Sequence, residues 1–410
     1  MTVNFTLNKT LESMAIYASK AIAQQAARMP DVINLSFGEP DFGPPAFLQQ
    51  LIEREGLSWQ AFMHSVKGYE QPKGSPELRQ AVADWYQQRY GLCVDPEREV
   101  MITHGGVEAI SLAIQCTTQE NQSVIVSQPS YMLYERAVSA LSRQPVALSR
   151  PTGEAEYDAA LNAVGEESPL HQAGALIVNS PENPSGYMLN ARDWDAVAAY
   201  THRHGIWLIH DEVYDTMAWS ERHRPALGHP ILQDNTIMIN SFSKKFGLPG
   251  LRIGWMVARE PVINMAAKLH DYFYLGVNKQ YEQIATLILR ESCIGAWLEE
   301  TGAMLQRRME QAIGRLTHEL GYQWPRQPRG AMFLFPEVSS LYASMPTKWR
   351  DESLTIGECV AAYLLHEKRV AVVPGHVYGK NSASHIRMVL CTPEEDYNRA
   401  LDRLTQERES

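Results

Sequence analysis

The sequence predicts an α/β protein, with a mainly parallel sheet in a large domain and a smaller α+β domain beside it. Three observations carry this expectation. The chain has 410 residues, more than one hydrophobic core usually serves. Through its middle, short apolar runs alternate with stretches of helical period, the pattern of a parallel sheet covered on both faces. Beyond about Ile263 the pattern changes to long amphipathic helices followed by short strands.

In chain order, residues 9–29 carry a helical period, and their apolar face has to pack on the second domain or on another subunit. Five apolar runs are predicted strands: EVMIT (99–103), SVIVSQP (123–129), GALIVNSP (174–181), GIWLIHDE (205–212) and TIMINSFS (236–243). Between them, VEAISLAIQC and RDWDAVAAYTHRH repeat apolar residues at intervals of three and four, as helices do. NKQYEQIATLILRES and WLEETGAMLQRRMEQAIGRLTHELG are the long helices of the later part, and AMFLFPEV, VAVVPG and HIRMVLC its strands. The expected division is residues 1–45 as an N-terminal arm and part of the small domain, 46–290 as the large domain and 291–410 as the small C-terminal domain.

Composition narrows the function classes. Hydrophobic residues make up 45% and charged residues 20%, values of an ordinary globular protein. A net charge of −10 repels a phosphate polymer, so nucleic acid is not an expected partner. No apolar run has the length of a membrane span, and the first residues lack the apolar stretch of a secretory signal, so a soluble cytoplasmic protein is expected. Five cysteines, an odd number without CxxC spacing, fit reduced thiols better than a disulfide frame or zinc site. In HRHGIWLIHDE, His202 and His204 precede Gly205 as a helix end does, so the cluster with His210 and Asp211 is not read as a metal site.

In open α/β sheets, ligands gather outside the carboxyl ends of the strands. The polar residues that stand out here all follow predicted strands. After Thr103, Gly105 and Gly106 let backbone approach a ligand, and the helix opening near Val107 turns free amides and a positive dipole toward an anion. SFSKKFGLPGLRIGW supplies a second anion-binding set: the hydroxyls of Ser241 and Ser243 and the planar fork of Arg252, in a loop made compact by Gly247, Gly250 and Gly254.

That stretch resembles the lysine motif SxSKxxxxxGxRxG of class I and II aminotransferases, fold-type I enzymes dependent on pyridoxal 5'-phosphate (PLP) and related to aspartate aminotransferase. Ser241, Ser243, Lys244, Gly250, Arg252 and Gly254 fall in its register, which selects Lys244, not Lys245, as the Schiff-base lysine. Other family motifs follow in order over nearly the whole chain. LSFGEPDF resembles the N-terminal element whose glycine, here Gly38, lies beside the substrate carboxylate. KGYEQPKGSPELRQAVA resembles the segment whose tyrosine, here Tyr69, reaches the cofactor phosphate of the other subunit, which implies a homodimer with shared active sites. The glycine-pair segment implies Gly106 and Val107 as cofactor contacts. SQPSYMLY places Tyr131 against the pyridine face. NSPENPSG supplies Asn183, for cofactor and substrate alike, with serine where the family has threonine. HDEVYD gives Asp211 and Tyr214, and HIRMVL puts Arg387 where the family holds the substrate α-carboxylate.

These implied roles agree with elementary chemistry. A carboxylate at the end of an apolar strand, such as Asp211, needs a cation, and a protonated pyridine nitrogen is one. Asn183 and Tyr214 can hydrogen-bond the phenolic oxygen of the ring. Lys244, once freed from the cofactor, is a base and acid within reach of the substrate. The expected activity is transfer of an amino group between an α-amino acid and a 2-oxo acid. The alternative is a PLP-dependent lyase, cyclase or oxygen-using oxidase acting on an arginine-like amino acid, since all need the same cofactor site.

Some positions depart from the family pattern. His104 precedes the glycine pair, where it either titrates near the phosphate or packs as a neutral imidazole. Asn278, Lys279, Gln280 and Tyr281 are bulky and polar where relatives have small residues. Glu12 and Asp41 either face a cationic substrate side chain or are ordinary surface carboxylates, and no motif fixes which amino acid is used.

Overall fold

The computed structural model describes residues 6–406. At its centre lie seven strands: β1 (Val100–Thr103), β2 (Ser123–Gln128), β3 (Gln144–Ser149), β4 (Ala175–Asn179), β5 (Trp207–Asp211), β6 (Thr236–Ser241) and β7 (Gly254–Val257). Their spatial order is β1-β7-β6-β5-β4-β2-β3. Every neighbouring pair is parallel except those of β7, which runs antiparallel to both β1 and β6.

The five predicted strands are all present, each a residue or more shorter than its apolar run. β4 and β6 are buried along their whole length, which is why they read as continuous apolar runs. Successive side chains alternate across the sheet. Ile177, Ile209, Ile237 and Ile239 pack with helices Gly106–Thr117 and Glu260–Tyr274 on one face. On the other face, Leu176, Val178 and Leu208 pack with helix Ala191–His204, and Met238 and Trp255 with helices Pro76–Tyr90 and Lys279–Arg290.

A second core lies under a three-stranded antiparallel sheet, in order Val373–Pro374, Ile386–Val389, Phe333–Leu334. The 27-residue helix Ile294–Leu320 joins the two cores: Ile294 and Leu298 pack with the large sheet, and Leu305, Met309, Ala312 and Leu316 with the small one. Ile33–Asn34 pairs in parallel with Val370–Ala371, so the N-terminal segment is tied to the C-terminal part of the chain.

The expected single helix over residues 9–29 is instead two, Lys9–Ser13 and Ala18–Ala27. Met14 and Tyr17 between them are extended. The break has a partner: the Tyr17 hydroxyl donates to that of Tyr131 at 2.6 Å. The second helix packs Ile22 and Ala26 against Leu365 and Ala371 of the small core.

Candidate active site

Strands β4, β5 and β6 end at Asn179, Asp211 and Ser241, and these three residues line one cavity of about 430 Å³. Around them converge Gly38, Gly106, Val107, Tyr131, Asn183, Tyr214, Ser243, Lys244, Arg252 and Arg387. Of the residues to which the resemblance assigns a cofactor or substrate contact, Tyr69 alone lies outside this lining, and it is 78% exposed. A larger depression near β3 has one charged lining residue, Arg150, whose guanidinium is already held by Glu156 and Glu182.

One end of the cavity is built for an anion. Helix Gly106–Thr117 points its amino end into it, with Gly105 ahead of the first turn at φ +79°. A Cβ on Gly105 would stand 2.7 Å from Arg252 Nη2, so a side chain here would push the guanidinium aside, and the positive φ itself favours glycine. The Arg252 guanidinium rests on the carbonyls of Pro249 (2.8 Å) and His104 (3.2 Å). Ser241 donates to Ser243 Oγ at 2.9 Å, which brings the two hydroxyls together at the end of β6.

The middle carries an acid and an amine. Asp211 is buried, and its hydrogen bonds come from neutral donors, the Tyr134 hydroxyl at 2.7 Å and the Val213 amide at 3.2 Å. Burial pushes its carboxyl up to about 6, against the pull of those two donors. Lys244 ends its side chain on the Gly38 carbonyl at 2.6 Å. Burial brings its amine down to about 8. Burial also holds the phenols of Tyr131 and Tyr214 well above their usual range, so both are hydroxyl donors at neutral pH.

At the far end Arg387 is buried, with Nη1 donating to Asn183 Oδ1 at 3.2 Å and Nη2 to the Ser36 carbonyl at 2.6 Å. Its Nε has no hydrogen-bond partner among the described residues. The guanidinium lies 4.7 Å from the Phe333 ring centroid and 5.3 Å from that of Tyr378. Asn183 is itself placed by Asn179, whose Oδ1 accepts the Asn183 amide at 2.7 Å.

Among the lining residues not foreseen from the sequence are Tyr17, Tyr134 and Asn179. Tyr134 had a signal in its spacing, three residues beyond Tyr131 and so one helical turn on. Tyr17 had none, because its position depends on the helix break.

The departures also find their places. His104 is partly buried, stacked 5.7 Å from His270, and burial lowers its pKa. Asn278 caps helix Lys279–Arg290 by accepting the Tyr281 amide, and Gln280 is buried. Asp41 pairs with Arg308 at 3.3 Å, while Glu12 is exposed on the first helix. His202 and His204 end a helix capped by left-handed Gly205. His210, Glu212 and His223 cluster on the opposite face of the sheet from the cavity. His210 Nδ1 accepts the Ala226 amide, which leaves the proton on Nε2 and no lone pair free for a metal.

A family model described as "Aminotransferase class I and II" matches residues 30–404. The aspartate aminotransferase of Pyrococcus horikoshii is 28% identical over 94% of this chain and 93% of its own. The arginine–pyruvate transaminase of Pseudomonas aeruginosa is 29% identical over 91% of this chain and 89% of its own. Among solved structures, the aspartate aminotransferase of Thermus thermophilus with maleate superimposes with a TM-score of 0.84 at 26% identity, covering 98% of this chain and 99% of its own.

Proposed function

The chain belongs to the aminotransferase class I and II family, and from that premise we propose that it uses PLP, held on Lys244, to move amino groups between an α-amino acid and a 2-oxo acid. Aminotransferase activity follows from the family and from relatives named for it, which do not favour the lyase, cyclase or oxidase alternative. The observation that supports the cofactor is the convergence, in one cavity, of an anion cradle, a buried acid and an amine of lowered basicity.

The residues present fit PLP. Arg252, Ser241, Ser243 and the amino end of the helix beginning with Gly106 and Val107 suit its phosphate. Asp211, costly as an ionised acid among neutral donors, suits a protonated ring nitrogen. Asn183 and Tyr214 suit the phenolic oxygen, and Tyr131 the ring face. When bound, the cofactor supplies an electron sink that weakens the bonds at the substrate Cα. The chain does the rest. Arg387, with Asn183 and Gly38 beside it, holds the substrate carboxylate and so orients the Cα–H bond. Lys244, whose amine burial brings down to about 8, takes the Cα proton and returns it.

A homodimer completes the site in this reading. Tyr69 stands out from the surface, and Tyr272, Phe273 and Tyr274 are exposed as well. The loop after Tyr274 abuts it: a Cβ on Gly276 would meet the Glu70 carbonyl at 2.9 Å. An apolar patch of this kind is suited to a second copy of the chain. No helix among the described residues is long and apolar enough to cross a membrane, and the reduced-cysteine pattern supports a cytoplasmic location.

The test is visible absorbance of the PLP-loaded protein as amino acids are added singly. Loss of the lysine-bound band without acceptor, and its return with a 2-oxo acid and formation of a new amino acid, is the expected result. Ammonia release or oxygen consumption without an acceptor would replace transfer by the alternative.

A further inference from the structure

Lys245, the second lysine of the pair, does not enter the cavity, and its side chain is 0% exposed. Its amine is ion-paired with Asp215 at 2.6 Å, and it donates to Asn240 Oδ1. Asp215 also accepts the Tyr90 hydroxyl at 2.7 Å. Asn240 in turn donates to Glu212 at 3.2 Å, and Glu212 takes the hydroxyl of Tyr86 and meets His223 Nε2 at 2.8 Å. The rings of Trp255 and Trp85 lie 5.0 and 5.5 Å from the Lys245 amine.

This network backs the active site residue by residue. Asp211, Tyr214, Ser241 and Lys244 face the cavity, while Glu212, Asp215, Asn240 and Lys245, each next in sequence to one of them, face the network. Lys244 sits in a helix of four residues, Phe242–Lys245, too short to hold its own shape. A buried ion pair is a weak source of stability, and an apolar pair of the same size commonly serves as well. What charge and a directed hydrogen bond add is a fixed position. Reacting groups are sensitive to displacements of about 1 Å, which can cost about a hundredfold in rate.

We propose that Lys245, paired with Asp215 and bonded to Asn240, is a positioning residue that fixes the Lys244 amine in the cavity. The proposal rests on Lys244 as the reacting amine.

The test compares the parent with Lys245→Met, Asp215→Asn, the double variant and Tyr90→Phe. Three quantities are read: melting temperature without cofactor, the pH midpoint for acylation of Lys244 without cofactor, mapped by mass spectrometry, and the single-turnover rate of the PLP-loaded protein with an amino acid. Each charge-removing single variant leaves a buried charge unpaired and melts lower; the double variant recovers most of that loss. Positioning predicts that the double variant still turns over at least tenfold slower and that its Lys244 midpoint rises by half a pH unit or more. Tyr90→Phe keeps both charges, folds, and moves rate and midpoint the same way by a smaller amount. A double variant within threefold of the parent in rate with an unmoved midpoint overturns the proposal. If the double variant does not fold, an unchanged rate and midpoint in Tyr90→Phe overturns it equally. A parent that takes up no PLP refutes the cofactor assignment instead, while the acylation midpoints still decide the positioning role.

Discussion

Replacing Lys244 with methionine, a side chain of similar length, should abolish transfer and yet make the cofactor-free protein more stable at pH 7. Burial lowers the amine to about 8 from 10.5. In the unfolded chain the amine keeps its ordinary affinity for protons, so below pH 8 the folded state carries the whole penalty, which disappears as pH rises from 8 to 10.5. A difference of about 2.5 pH units corresponds to at most ~3.4 kcal/mol, an upper bound because the side chain retains some contact with water. Methionine also gives up the bond to the Gly38 carbonyl, worth about 1–1.5 kcal/mol. The net gain at pH 7 is then about 1–2 kcal/mol, falling to about zero at pH 9.5, where most of the proton difference has gone. Thermal unfolding of both cofactor-free proteins at the two pH values reads this directly. A variant less stable than the parent at pH 7, or a gain that does not change with pH, would refute the reasoning.

Three further substitutions test the remaining parts. Asp211→Asn removes an acid raised to about 6 by burial; a raised acid costs stability as pH climbs from 3.8 to 6, so the cofactor-free variant gains stability at pH 7 and not at pH 3.5, while PLP affinity falls about a hundredfold. Arg387→Ala leaves PLP affinity within about threefold, measured by absorbance titration, but raises KM for the amino acid about a hundredfold, since a bidentate charge contact is lost. Gly105→Ala meets both a positive φ and Arg252 Nη2 at 2.7 Å; affinity for PLP drops about tenfold or more while affinity for pyridoxal, which lacks the phosphate, changes little.

Much of this architecture was legible in the residues. The buried strands β4 to β6 announce themselves as apolar runs because both faces of the sheet are covered, and their final polar residues mark the cavity. β3 and β7 were not foreseen. β3 is an edge strand, exposed along most of its length and carrying Pro145, so it lacks the apolar run of a buried strand. β7 is four residues long and follows directly on the glycine-punctuated loop that ends at Arg252. The double role of the lysine pair was only half visible. The resemblance to the lysine motif pointed to Lys244, but that Lys245 turns to the other side and meets Asp215 depends on how two distant segments pack. The break at Tyr17 is a tertiary override of a continuous helical period, stabilised by its contact with Tyr131.

The account stands or falls on which amine carries the cofactor. Borohydride reduction of the PLP-loaded protein, followed by peptide mass spectrometry, fixes the pyridoxyl group on the lysine that holds it. The label should appear on Lys244 alone; a label on Lys245, or a protein that takes up PLP with no lysine labelled, would contradict it.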